Sequence, residues 1–389
     1  MTESRLTLSR RSERISRADI RTMTVECERV GGINLAQGVC DMAVPEPVLR
    51  GAERAMRSGV NAYTRHDGLS ALREAVAAKM RTFNGIVADA DGEVIISGGA
   101  TGALYCACIA LLDPGDEVIV FEPYYGYHLN TLLAVDAVPR FVRMSPPDWR
   151  FSIADVRAVI GPRTKAILLN TPGNPTGKVY SEEELRALAR LAVENDLFVL
   201  SDEIYEYFVY DGYRHVSPGS LPEIADRTIT VSGYSKTFSI TGWRIGYCVA
   251  KRRWADTIGY VNDLVYVCAP APLQIGVAEG ITGLGPAYYE DLRRDFSRKR
   301  AMVSSALQEA GFRFALPQGA YYILADASHV PGADGREKAM YLLGKTGIAS
   351  VPGECFFGNG GGANLLRFCY AKEDAELGAV GDRLRRLRS

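Results

Sequence analysis

Ser232-Gly-Tyr-Ser-Lys-Thr-Phe-Ser-Ile-Thr-Gly-Trp-Arg244 is the stretch that decides the fold. It directly follows the β-branched run Thr228-Ile229-Thr230-Val231, which reads as a buried strand. Lys236 therefore stands just past a strand end, among small residues. Burial lowers an amine's pKa, because the charged form loses its hydration. A lysine so placed reacts as the free amine and forms a Schiff base with an aldehyde. In isolation a lysine beside a loop reads as a solvated surface group. Three further segments at matching places change that reading.

Outward from this stretch, the chain alternates strand and helix signals. Strands are expected near 93–97, 117–121, 138–144, 164–170, 197–201, 228–231 and 245–250. Ser181-Glu182-Glu183-Glu184 is a capping box that opens a helix to about Glu194. Such alternation predicts an α/β fold, with a mostly parallel seven-stranded sheet flanked by helices. After residue 284 the pattern changes to one long amphipathic helix (286–310), short strands near 320–323 and 365–368, and a terminal helix from about 373. We therefore expect a large domain at 46–284 and a smaller α+β domain from residues 1–45 and 285–389. Gly358-Asn359-Gly360-Gly361-Gly362 reads as a flexible surface loop.

Composition narrows the function. At 389 residues the chain exceeds what one core normally holds, in line with two domains. Net charge is −1, from 45 basic and 46 acidic residues, so no basic field is offered to nucleic acid and the substrate is expected to be small. Residues 1–20 are polar and Arg-rich without the apolar centre of a signal peptide, and no apolar run spans a bilayer, so the cytoplasm is the default. The eight cysteines follow neither zinc nor disulfide spacing. With four scattered histidines they predict no metal site, and the cysteines read as small buried hydrophobes.

In an open parallel sheet, ligands bind at the carboxyl ends of the strands. Four segments sit at such ends. Ser97-Gly98-Gly99-Ala100-Thr101-Gly102 offers backbone N–H groups at a helix start, a phosphate cradle. It reads equally as a tight βα turn, or as a dinucleotide fingerprint with Glu122 as the distal carboxylate. Asn170-Thr-Pro-Gly-Asn174-Pro-Thr-Gly177 is a rigid loop that aims the Asn174 amide; a plain turn asparagine is the bland alternative. Asp202, in Ser201-Asp-Glu-Ile-Tyr205, ends a buried strand, where a carboxylate needs a partner unless it only caps a helix. The fourth is the Lys236 stretch, with Arg244 eight residues on. Together these are the parts a pyridoxal 5′-phosphate enzyme needs: a lysine for the aldehyde, an aspartate for the pyridine nitrogen, an amide and a phenol for the phenolic oxygen, and N–H groups, hydroxyls and an arginine for the phosphate. Among nine lysines, Lys236 is the one best placed for this.

Asn-Pro-Thr-Gly (174–177), Asp-Glu-Ile-Tyr (202–205) and Ser-Lys-Thr-Phe…Gly-Trp-Arg-Ile-Gly-Tyr (235–247) occur in the order and spacing of one family. From about Leu35 to Arg385 the chain resembles the class I aminotransferases of the aspartate aminotransferase fold (fold type I). The resemblance implies that Lys236 is the Schiff-base lysine and proton shuttle. It implies that Asp202 pairs with the pyridinium, and that Asn174 and Tyr205 bond the phenolic oxygen. Ala100, Thr101, Ser235 and Arg244 would hold the phosphate. Tyr125 would stack on the ring, with Tyr124 as its rival. Tyr63 looks like the tyrosine that reaches the phosphate of a second subunit, which makes the enzyme a homodimer. Arg367 looks like the clamp on the substrate α-carboxylate, a task suited to a bidentate fork, with Gly38 giving an N–H to the same group.

Two departures stand out. Cys40-Asp41-Met42 replaces the Pro-Asp-Phe common in the family beside the substrate, and Gly233 replaces a serine three residues before the lysine. Ala-Gln-Gly (36–38) and Arg-Phe-Cys-Tyr (367–370) are most similar to the branch of kynurenine, glutamine-K and methionine aminotransferases. That implies a neutral, aromatic or sulfur-containing amino acid as donor to a 2-oxo acid. The same residues also serve carbon–sulfur β-lyases. A cofactor-binding regulatory domain would need a DNA-binding module, and an oxidoreductase built on Gly98–Gly102 would leave Asn174, Asp202 and Lys236 unexplained.

Overall fold

The computed structural model describes residues 7–15, 19–358 and 360–387. The polar opening segment lies partly outside them, at 1–6 and 16–18, as does Asn359 of the glycine-rich loop. The strands in chain order are β1 (Ile33–Asn34), β2 (Val94–Gly98), β3 (Glu117–Glu122), β4 (Val138–Arg143), β5 (Thr164–Asn170), β6 (Phe198–Asp202), β7 (Thr228–Gly233), β8 (Ile245–Val249), β9 (Tyr322–Asp326), β10 (Ile348–Ala349), β11 (Val351–Pro352) and β12 (Leu365–Cys369).

Seven of these form one sheet in the order β2-β8-β7-β6-β5-β3-β4. β8 runs antiparallel to both neighbours, and the other six share one direction. The exception has a simple cause. Parallel neighbours need a crossover, usually helical. Only residues 234–244 join β7 to β8, and their one helical turn is the short 3₁₀ segment Thr241–Trp243. β3, β6 and β7 are buried throughout, as a sheet covered on both faces requires. Helix Glu182–Glu194 starts on the expected capping box, with both reciprocal bonds between Ser181 and Glu184 formed.

β9, β11 and β12 make a separate three-stranded antiparallel sheet, and β1 pairs with β10 in parallel. The amino-terminal and carboxyl-terminal thirds are thus hydrogen-bonded to each other. The long helix is Pro286–Glu309 and the terminal one Asp374–Leu384, close to the expected limits.

Beside the large sheet lies a buried ionic group. Lys79 Nζ bonds Glu206 Oε1, and Asn84 Nδ2 donates to Glu206 Oε2 at 2.8 Å. His215 Nε2 meets Glu203 Oε2 at 2.7 Å, and Ser217 Oγ donates to the same oxygen. Glu203, Glu206 and His215 come together here in a grouping the sequence does not announce. Their neighbour Lys79 supplies the positive charge, and it also lies over the rings of Phe83 and Tyr207.

Candidate active site

The carboxyl ends of β2, β5, β6 and β7 lie along one edge of the sheet, which brings the four suspected segments together. Asn170 ties two of them. Its Nδ2 donates to the Asp202 carbonyl at 3.0 Å, and its Oδ1 accepts from Asn174 N at 2.8 Å. The register that sets Asn170 opposite Asp202 makes this contact local to the sheet.

Asp202 is buried. Its partner is His128, whose Nε2 lies 2.7 Å from Oδ2, while Oδ1 accepts from Ile204 N at 3.2 Å. The sequence reading missed His128. It stands three residues after Tyr125, on helix Gly126–Ala134, and its ring meets the Tyr125 ring edge-on at 5.2 Å. That contact distinguishes the two candidate tyrosines. Tyr124 instead stacks on Phe141 at 5.5 Å, inside the core.

Lys236 Nζ donates to the Gly38 carbonyl at 2.9 Å, and Tyr321 Oη donates to the same oxygen at 3.3 Å. Burial pushes the Lys236 ammonium below the ordinary lysine range, with Arg244 and Arg367 acting the same way against Cys40 and Cys369. Cys40 is buried close by, its thiol pushed up to about 11 by desolvation.

At the helix start Gly99 takes φ +82°, and a Cβ there would run into the Arg244 guanidinium. Arg244 itself donates to Thr241 O at 2.9 Å and Gly98 O at 3.3 Å. A cation and the first N–H groups of helix Gly99–Leu111 lie at this strand end, a setting suited to an anion; Thr101 on that helix is partly exposed, and the buried Ser235 follows β7. Glu122 does not serve a dinucleotide. Its side chain is buried, accepts from Gly358 N and faces Arg143, so it tethers the glycine-rich loop instead. The dinucleotide reading of the first segment fails for that reason.

Arg367 is 1% exposed. Its Nη1 donates to Asn174 Oδ1 at 2.9 Å and its Nη2 to Ala36 O at 2.6 Å, and among the described residues its Nε has no partner. Tyr322 and Phe356 lie against the guanidinium, with ring centres 4.4 and 5.2 Å away. Tyr322 also escaped the sequence reading; it reaches Tyr205 Oη at 3.0 Å. Gly38, Asn174, Lys236 and Arg367 thus converge, whereas Tyr63 stands apart, 83% exposed.

The family model for aminotransferase classes I and II matches residues 30–384. Methionine aminotransferase of Escherichia coli is 32% identical over 365 residues, 94% of either chain. Aspartate/prephenate aminotransferase of Thermus thermophilus is 36% identical, covering 91% of this chain and 90% of that protein. The solved structure of N-succinyldiaminopimelate aminotransferase from Mycobacterium tuberculosis superposes with a TM-score of 0.94 at 32% identity, over 98% of this chain and 100% of that one. The fold and family expected from residues 174–247 are borne out, and a member of the expected branch is among these relatives. The chain belongs to the class I and II aminotransferases.

Proposed function

We propose that the protein binds pyridoxal 5′-phosphate around Lys236 and moves the amino group of a neutral, aromatic or sulfur-containing L-amino acid to a 2-oxo acid, as a cytoplasmic homodimer. One observation carries the reading. Arg367 is a fully buried cation whose hydrogen-bond partners among the described residues are neutral oxygens, and whose Nε is unpaired among them. A buried charge without a counter-ion is costly, and a substrate carboxylate would supply what is missing.

The side chains fit the cofactor on their own chemistry. A desolvated amine is held by a neutral carbonyl, a carboxylate is backed by a histidine, and an arginine rests where a Cβ on Gly99 would otherwise sit. When bound, pyridoxal phosphate supplies the electron sink for the charge that develops at the amino acid's Cα. Lys236 Nζ, as the free amine, is the base that takes the Cα proton. Asp202, oriented by His128, would hold a proton on the pyridine nitrogen. Asn174 and Tyr205 would bond the phenolic oxygen, and Tyr125 would stack on the ring. Ala100, Thr101, Ser235 and Arg244 would hold the phosphate, with Tyr63 of a second copy. Gly38 N–H and Arg367 orient the substrate carboxylate.

Support for the side-chain class comes from the surroundings of Arg367, where Tyr322 and Phe356 present aromatic faces, and from the methionine aminotransferase among the relatives. Support for the dimer comes from Tyr63, Tyr260 and Leu264, which are 83, 70 and 85% exposed. The Tyr63 loop is tied to helix Arg252–Tyr266 by stacking of His66 on Tyr260 at 5.7 Å.

The test is the visible spectrum of the purified protein while single amino acids are added. Loss of the cofactor's absorption to its pyridoxamine form with apolar or aromatic amino acids is the expected result. Conversion by aspartate and glutamate alone would overturn the substrate class. An unchanged spectrum with pyruvate and ammonia released from a cysteine conjugate would replace transamination by β-elimination.

A further inference from the structure

Tyr322 has no role so far, yet its side chain touches three groups that do. It opens β9, whose pairing with β12 sets Leu324 opposite Arg367 and Tyr322 opposite Cys369. Tyr322 and Arg367 are therefore diagonal neighbours on one sheet face, and the ring lies 4.4 Å from the guanidinium carbon. The hydroxyl is 3.0 Å from Tyr205 Oη. It also closes on Gly38, where a Cβ would run into it.

The direction of the Tyr322–Tyr205 bond follows from a count of hydrogens. Each phenol carries one, and one oxygen–oxygen contact uses one of the two. Among the described residues Tyr205 Oη is the hydrogen-bond partner of the Tyr322 hydroxyl, and the Gly38 methylene on its other side accepts nothing. If Tyr205 donated, the Tyr322 hydrogen would be buried without a partner, which costs far more than a formed bond returns. Either hydroxyl can donate in this contact, and whichever does leaves the other hydrogen unplaced; with the cofactor's phenolic oxygen as a second acceptor beside Tyr205, both hydrogens are placed only when Tyr322 donates. The titratable groups around the Tyr322 ring and hydroxyl are Tyr205, Tyr125, Tyr321, Arg367 and Cys369. Desolvation raises both Tyr205 and Tyr322, so both hydrogens are present at any working pH.

We propose that Tyr322 is a positioning residue for the site: its hydroxyl donates to Tyr205 and so turns the Tyr205 hydrogen toward the cofactor's phenolic oxygen, while its ring holds the Arg367 guanidinium in the plane the substrate carboxylate needs. The proposal rests on the cofactor reading above. Two hydrogen bonds in series polarise one another, so the donor that reaches the phenolic oxygen is stronger than a lone phenol. A stronger donor favours the deprotonated form of the bound cofactor. The same residue thus serves both ends of the reacting pair, through its oxygen at the cofactor and its face at the substrate.

The two halves separate by substitution. Tyr322→Phe keeps the ring and removes one oxygen. The pH midpoint of the bound cofactor's absorption change is expected to rise by about one unit, a tenfold change in proton affinity, with KM for the amino acid within about twofold of wild type. Tyr205→Phe should raise the midpoint as well, and the double variant should lie no higher than Tyr205→Phe alone, because the Tyr322 hydroxyl acts through Tyr205. Tyr322→Leu removes the ring too and should raise KM roughly tenfold beyond Tyr322→Phe. An unmoved midpoint in Tyr322→Phe, or shifts that simply add in the double variant, overturns the hydroxyl's role. A KM in Tyr322→Leu equal to that of Tyr322→Phe overturns the ring's. A wild-type protein that never acquires the cofactor's absorption defeats the functional reading itself, which is a different failure.

Discussion

Arg367 and Lys236 are both buried cations, and the structure treats them differently. Lys236 has one neutral acceptor, Gly38 O, and relieves its burial by a lowered pKa. Arginine has no such escape, because its guanidinium stays charged. Arg367 is held instead by two oxygens and two aromatic faces. A lysine at 367 would keep the charge and lose the fork. Arg367→Lys should therefore raise KM for the amino acid at least tenfold, on the order of 1.4 kcal/mol or more, and leave cofactor affinity within about twofold. Steady-state kinetics beside cofactor titration separates the two quantities. Lys236 carries the complementary expectation. Lys236→Ala should retain the fold and lose turnover by several orders of magnitude, measured in single-turnover assays with the cofactor supplied in excess.

At the scale of elements, helix Ser70–Lys79 is fastened to the loop after β6 by the Lys79–Glu206 pair. Burial raises the Glu206 carboxyl, yet Lys79 and His215 outweigh it and hold the group below its ordinary range. A depressed carboxylate stabilises the fold above its unfolded pKa of about 4.3, and that stabilisation is lost as pH falls through the lower folded value. Lys79→Met strands the buried carboxylate. It should cost about 3–5 kcal/mol at pH 7, and clearly less near pH 4, where Glu206 can take a proton. Urea unfolding at the two pH values checks this, and an equal cost at both would refute it. The same pair marks the limit of what the sequence discloses. Strand ends, the capping box at Ser181 and the loops bearing Asn174, Asp202 and Lys236 are legible because each is written within a dozen residues. Lys79 and Glu206 are 127 positions apart, and His128 and Asp202 are 74 apart. Such meetings depend on the strand order of the sheet, β5 lying between β3 and β6, which no local periodicity encodes. The dinucleotide alternative at Glu122 stays open in the sequence for the same reason, since its partner Gly358 lies 236 residues away.

At the scale of the molecule, the Tyr63 loop and helix Arg252–Tyr266 form one exposed apolar face, carrying Tyr63, Tyr260, Leu264, Val265 and Val267. Patches of this kind mark association surfaces. If this face carries the proposed homodimer contact, Leu264→Asp should place a charge within it and shift the protein from dimer to monomer in sedimentation velocity at micromolar concentration. If Tyr63 serves the neighbouring site, the monomer should also hold the phosphate end more weakly, and its cofactor should dialyse away faster than that of the wild type. A dimer that persists at wild-type strength in Leu264→Asp would place the contact elsewhere.

The pairing of β12 with β9, and the bond from Arg367 to Ala36, have a consequence in time. A ribosome finishes β8 at Val249 and must add 118 more residues to reach Arg367. At about 5–20 residues per second, that takes roughly 6–24 s. During this interval all seven strands of the large sheet have been synthesised, and with them the lysine, the aspartate and the anion cradle. On the proposed site assignment, the chain has thus received every residue assigned to the cofactor well before it receives the arginine assigned to the amino acid's carboxylate.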